Sequence, residues 1–216
     1  LHTGKQLPAG ANLLFTGSFF TALIGERLFN QGSGLIVNPS SHTPDWKIGH
    51  VQVYTGDGKG KTTAALGLAL RAAGAGLQVY IAQFAKGSAC SELHALGRFS
   101  DCITLEQFGS SDFIREPTPA DREAAQRGLA AVRRVFSRGL HRLGILDEAN
   151  IATWFGLIPV ADLLDLIDQR PEPVELVLTG RRADPRVIAR ADLVTEMRQV
   201  KHYFDAGVQA RTGIES

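Results

Sequence analysis

Apolar and polar positions alternate over Val51-Gln52-Val53-Tyr54, and the alternation breaks at Thr55-Gly56-Asp57-Gly58-Lys59-Gly60-Lys61-Thr62-Thr63. Past that glycine-rich stretch, Ala64 to Ala73 reads as a helix ended by Gly74 and Gly76. Leu77 to Phe84 is a nearly continuous apolar run, the pattern of a buried strand, and Cys102 to Phe108 is a third strand candidate. Thr118-Pro119-Ala120-Asp121 carries a helix start: a capping threonine, proline at the first helical position and an acid in the first turn. Ala125, Leu129, Val132 and Phe136 then recur at four, three and four, one face of a helix.

Leu143 to Glu148 is a short apolar strand ending in two carboxylates. Pro159 opens a helix through Asp168, which Arg170-Pro171 closes. Val174 to Gly180 is the next strand, Pro185 to Arg190 a short helix, and Asp192 to Glu196 the last strand. Strands alternating with helical stretches predict an α/β fold, a mainly parallel sheet with helices on both faces. Right-handed crossovers place the strand C-termini along one edge, where such folds bind ligands.

Residues 1–49 are patterned differently. Leu13-Leu14-Phe15 and Phe19 to Ile24 are apolar, but Thr16, Gly17 and Ser18 interrupt them. The run falls short of the roughly 20 apolar residues of a membrane span. Only Lys5 and the terminus precede it as positive charge, and no convincing cleavage site follows, which argues against a signal peptide. The chain begins with Leu and has one methionine, Met197, so this irregular N-terminal extension, ahead of a domain over 50–216, reads as a fragment end, an alternative start or an upstream extension and is assigned no function.

Composition narrows the classes. The 216 residues suit one domain with a sizeable core, and 44% apolar with 21% charged residues is ordinary for a globular protein. A formal net charge of +1 gives no reason to expect nucleic acid or a membrane as partner. The arginines off the helical stripe, Arg122, Arg127, Arg133 and Arg134, form a solvated face. Cys90 and Cys102 form no Cys-x-x-Cys pair, and the six histidines have no zinc spacing, so free thiols in a reducing cytoplasm are expected.

The chemistry begins at the glycine-rich stretch. Strand, glycine-rich loop and helix, in that order, form the context of a phosphate-binding loop. Gly56, Gly58 and Gly60 let backbone N–H groups turn inward around a polyphosphate, and the helix N-terminus adds partial positive charge. Asp57, Lys59 and Thr63 complete the loop, Lys61 supplies a full charge, and the Thr62 hydroxyl is a Mg²⁺ ligand. A turn that merely opens a helix has no use for two lysines and two threonines. One position departs from the usual pattern: Thr55 stands where glycine is expected, and Gly56 follows one step later. The fold expected is thus the three-layer sandwich of phosphate-loop NTPases, of RecA-like kind.

Asp147-Glu148 supplies the other half of such a site, because carboxylates at the end of a buried strand hold or orient Mg²⁺. Alone, the pair would serve equally as a cap for a helix from Asn150 to Phe155. Arg181 and Arg182, after Thr179-Gly180, are candidates to face phosphate. No kinase catalytic loop occurs, so residue types alone reach a Mg-nucleotide enzyme or switch and leave ATPase, small-molecule kinase and non-catalytic switch open.

A run of ordered motifs goes further. Thr55 to Ala65, Gln83-Phe84-Ala85-Lys86-Gly87, Phe108-Gly109 and Leu146 to Asn150 come first. Leu178 to Arg181, Ala191 to Met197, Val200 to Gly207 and Ala210 to Glu215 follow. Together they resemble the corrinoid adenosyltransferases, the cob(I)yrinic acid a,c-diamide (cob(I)alamin) adenosyltransferase family, over about residues 50–216. The resemblance implies transfer of the 5′-deoxyadenosyl group of ATP to cobalt(I) of a reduced corrinoid, with release of the whole triphosphate, in cobalamin biosynthesis or salvage. It implies ATP binding by Gly56 to Thr63 with Arg181, and catalytic roles for Lys61, Thr62 and Glu148. Thr62, Glu148 and Asp147 would hold Mg²⁺, and Phe113 and Phe84 would meet the corrinoid, although the segment lacks the tryptophan some relatives carry. A homodimer in the cytoplasm served by an electron donor such as a flavoprotein completes the expectation.

Overall fold

The computed structural model describes residues 46–87, 91–109 and 116–215. Six strands form one sheet: β1 (Val51–Thr55), β2 (Val79–Phe84), β3 (Ile103–Phe108), β4 (Leu143–Asp147), β5 (Glu175–Thr179) and β6 (Leu193–Glu196). Their order is β3-β2-β4-β5-β1-β6, and every neighbouring pair is parallel. Parallel neighbours need crossovers, and helices supply them: α1 (Lys61–Gly74), α2 (Ser91–Leu96), α3 (Pro119–Ser137), α4 (Ala149–Trp154), α5 (Val160–Asp168) and α6 (Pro185–Arg190).

Side-chain alternation along the strands divides the core between two faces. Tyr80, Ala82, Phe84, Leu146, Leu176 and Leu178 pack with Leu129, Val132 and Phe136 of α3 and Leu163, Leu166 and Ile167 of α5. Val79, Ile81, Ile145 and Val177 point the other way, onto Ala65, Ala69 and Ala72 of α1 and Leu96 of α2. The alanines let α1 lie close against the sheet. The expected parallel α/β sandwich is therefore the fold observed.

Local signals explain the element boundaries. Thr118 and Asp121 form a reciprocal capping box at the start of α3, with Pro119 at its first position. Asp184 caps α6 by accepting from the Arg186 N–H at 2.9 Å. Two elements lie outside what periodicity reveals: α2 with the 3₁₀ turn Gly97–Phe99, and a 3₁₀ turn at Tyr203–Ala206. Both are too short for a hydrophobic repeat. At the far end of the sheet, the Gly49 N–H donates to Glu172 O at 2.8 Å and Arg142 donates to Trp46 O at 2.6 Å, so residues 46–49 are already tied to the domain.

Candidate active site

All strands point the same way, so the loops that follow them gather on one edge. Three non-glycine residues there hold a left-handed backbone: Ala85 after β2 (φ 53°), Glu148 after β4 (φ 59°) and Arg182 after β5 (φ 59°). Each such residue costs about 1–3 kcal/mol and persists only where its surroundings impose it, as functional sites do. All three line one cavity of about 1310 Å³.

The loop between β1 and α1 forms one wall. Gly56 has φ 95°, and a Cβ added to it would lie 2.4 Å from Met197 O. The Gly58 N–H donates to that carbonyl at 2.7 Å, and the Met197 N–H donates to Thr55 O at 2.8 Å. Only glycine permits this approach, so the chain leaving β6 buttresses the loop. Thr55, the residue in place of the usual glycine, is used by its hydroxyl, which accepts from the Ala183 N–H at 3.3 Å.

Lys61 arches back over the loop and donates to Gly56 O at 2.8 Å and Gly58 O at 2.6 Å. Burial pushes its ammonium below the ordinary lysine value, an effect that Arg181 adds to and Glu148, Asp57 and Asp147 oppose. A buried cation held by two neutral carbonyls is poised for an anion, since phosphate oxygens are stronger partners. Lys59 turns elsewhere: it donates to Ile214 O at 2.7 Å and pairs with Glu215 at 3.2 Å.

Beneath the loop, Asp147 is almost fully buried at 1% exposure, yet its two oxygens accept three side-chain donors. Thr62 donates to Oδ1 at 2.9 Å, Thr179 to the same oxygen at 2.6 Å, and Gln83 to Oδ2 at 3.1 Å. Gln107 donates in turn to Gln83 Oε1 at 3.0 Å. The Thr179 hydroxyl also accepts the Glu148 N–H at 3.0 Å, so one threonine orients both acids. Glu148 faces the cavity. Burial, then the neighbouring Asp147, raises its carboxyl above the ordinary value, and Lys61, Lys86 and Arg181 partly offset this.

These donors fit a hard divalent cation: a hydroxyl, a cavity-facing carboxylate and a second carboxylate behind the hydroxyl, all oxygen, leave room for phosphate and water ligands. Thr62, Glu148 and Asp147 are the residues that would hold Mg²⁺. Among the described residues, no three His, Cys, Asp or Glu side chains cluster as a metal cage.

Another part of the lining is apolar. Ile151, Trp154 and Phe155 of α4 and its end line the same cavity. Trp154 is 57% exposed, stacked edge-on against Phe155 with ring centroids 4.9 Å apart, and the Arg182 guanidinium lies 5.7 Å from its ring.

Comparison with known proteins identifies the family. The family model ATP:corrinoid adenosyltransferase BtuR/CobO/CobP matches residues 47–216. The chain belongs to this family. It is 36% identical over 170 residues to a corrinoid adenosyltransferase of Pseudomonas aeruginosa, covering 77% of this chain and 83% of that one. It is 33% identical over 175 residues to the Escherichia coli K12 corrinoid adenosyltransferase (77% and 85% covered). It is 34% identical over 177 residues to corrinoid adenosyltransferase CobA of Salmonella typhimurium (77% and 85% covered).

As a member of the adenosyltransferase family, the chain brings most of its expected site together. Asp57, Gly58, Lys59, Gly60, Lys61, Thr62, Thr63, Glu148 and Arg181 line the cavity, with Gly56 and Asp147 directly behind. Phe84 is a correction. It is fully buried, its ring 6.0 Å from that of Phe108 and pressed under Gly128, so it presents no surface to a corrinoid. Its strand is buried on both faces, and a motif position at the end of such a strand points into the core as readily as out of it. Phe113 lies outside the described residues. Sequence reasoning passed over Thr179, Gln83 and Trp154. The first two stand inside quoted motifs, and the third closes the short helix that follows the acid pair. Among the described residues, no helix is long and apolar enough to cross a membrane.

Proposed function

We propose that the chain binds MgATP in the Gly56–Thr63 loop and transfers its 5′-deoxyadenosyl group to the cobalt(I) of a reduced corrinoid, releasing triphosphate. One observation supports this above others. The lining of a single cavity of about 1310 Å³ has one stretch made by the cationic loop and Glu148 and another made by Ile151, Trp154 and Phe155, and its volume exceeds the roughly 300–1,000 Å³ of ordinary one-ligand pockets. Triphosphate suits the first stretch, and a large, mostly apolar macrocycle suits the second.

The chemistry asks little proton transfer of the protein. The cobalt(I) electron pair forms the cobalt–carbon bond at the ribose 5′ carbon while the carbon–oxygen bond breaks and its pair departs on the triphosphate. Lys61, freed from Gly56 O and Gly58 O, meets the charge that grows on that leaving group, and Arg181 adds to the field. The loop's backbone N–H groups and the start of α1 hold the phosphates in line. Mg²⁺, when bound, neutralises further phosphate charge, and Thr62, Glu148 and Asp147 are its ligand and orienting groups. Trp154 and Phe155 take the place expected of Phe84 against the corrinoid face.

Among acceptors, cobyrinic acid a,c-diamide is the first to test, with cobinamide and cobalamin beside it. The family reading further proposes a cytoplasmic homodimer and an electron donor such as a flavoprotein. The deciding assay incubates the chain with MgATP and chemically reduced corrinoid, anaerobically and in the dark. Light-sensitive adenosylcorrinoid with stoichiometric triphosphate is expected. ADP and phosphate with unchanged corrinoid would overturn the proposal in favour of an ATPase. Lys61→Ala is expected to abolish transfer while leaving the circular dichroism spectrum unchanged.

A further inference from the structure

The family resemblance extends to Ala210-Arg211-Thr212-Gly213-Ile214-Glu215, for which the transfer reaction supplies no task. In the fold this stretch returns to the phosphate loop, and Glu215 is its centre. The carboxylate accepts from the Arg211 backbone N–H at 2.9 Å and from its guanidinium at 3.3 and 3.2 Å. The Tyr203 hydroxyl donates to it as well, and the Arg211 guanidinium stands 5.1 Å from the Tyr203 ring. The Glu215 side chain is 16% exposed, so these partners fix it before any loop residue arrives.

Onto this fixed carboxylate comes Lys59, 156 positions away in sequence. Its ammonium has three N–H donors. One goes to Ile214 O at 2.7 Å and one to Glu215 at 3.2 Å, which leaves the third for the cavity that Lys59 lines. An isolated exposed ion pair contributes little, because two long side chains must be ordered for one contact. Here one partner is already immobile, so only the lysine loses freedom.

We infer that Glu215 is a positioning residue for the nucleotide: through Lys59 it pins the phosphate loop to the segment after β6 and holds that lysine's charge at the mouth of the triphosphate cradle. This rests on the MgATP binding proposed above. The opposite effect is physically possible, since a carboxylate near phosphates repels them. The two effects differ in sign, so one measurement separates them.

Calorimetric titration of MgATP into the full chain, without corrinoid, reads the effect directly. Glu215→Gln is expected to weaken binding roughly fivefold, the upper end for a partly exposed pair. Lys59→Met is expected to weaken it as much or more, and the double variant no further than Lys59→Met alone. Tighter binding in Glu215→Gln, or losses that add in full, overturns the inference. If Glu215→Gln does not fold, Tyr203→Phe removes one of the carboxylate's supports and is expected to weaken MgATP in the same direction. No change in that variant overturns the inference equally. Absent adenosyl transfer with this coupling intact counts against the reaction alone.

Discussion

Thr179→Val tests the acid pair most directly. The substitution keeps the branched shape and removes only the hydroxyl of a fully buried residue. Two bonds go with it: the donation to Asp147 Oδ1 at 2.6 Å and the acceptance of the Glu148 N–H at 3.0 Å. Losing a donor to a carboxylate costs about 1.5–3 kcal/mol, and stranding a backbone N–H roughly 1 kcal/mol more. The sum, about 2.5–4 kcal/mol, is a large share of the roughly 5–15 kcal/mol that holds a domain together. Urea unfolding followed by circular dichroism measures it, provided the slope is unchanged. Thr62→Val is the companion, because it removes the other hydroxyl on the same oxygen, at 2.9 Å. That side chain is only half-buried at the start of α1, where water can take its place. About 1 kcal/mol of stability loss is expected there, with the greater loss in adenosyl transfer. A Thr179→Val cost below about 1 kcal/mol, or equal stability losses in both variants, would refute the reading of Thr179 as the post that holds Asp147 and Glu148 in place.

Three further outcomes are expected. Glu148 has its carboxyl raised above the ordinary 4.5 by burial and by Asp147, so the stability it contributes is complete below that value and is lost as pH rises through the raised one. Glu148→Gln should therefore unfold at higher urea than the parent chain at pH 7, with the gap closing toward pH 4, while transfer activity falls; a gap independent of pH contradicts this. Gly128→Ala sets about 1 kcal/mol of helix propensity against the overpacking of a Cβ 2.6 Å from the Phe84 ring, about 1–3 kcal/mol, so a net loss of about 1 kcal/mol should appear in thermal unfolding, and a stabilised variant refutes it. Trp154→Ala should raise KM for the corrinoid roughly fivefold and leave that for MgATP unchanged; the reverse pattern would place the ring against adenine.

Strands and the helix after the loop were legible because burial on two faces leaves an apolar run, and because Thr118-Pro119 and Pro185 announce their helices locally. The nucleotide half of the site was legible for the same reason: its glycines, lysines and threonines are neighbours in sequence. What escaped is what sequence distance hides. A threonine at the end of β5 looks the same whether it faces solvent or a buried acid, and Thr179 does the latter. Lys59 looks like a free phosphate ligand until the fold brings Ile214 and Glu215 to it. Phe84 misled because a motif position carries no direction, whereas the buried strand around it turns the ring into the core.

The contact between Met197 and the loop limits how portable this signature is. A nucleotide-binding loop is often treated as a cassette of strand, turn and helix. Here part of the cassette is the carbonyl of a residue that arrives after five more strands, resting where Gly56 and Gly58 have no side chains. Side-chain changes at Met197 leave that carbonyl in place. A one-residue deletion between Glu196 and Val200 would draw it away and loosen the loop from across the sheet. Transplanted alone, residues 51–73 would bring the right letters and leave behind the surface against which they take their shape.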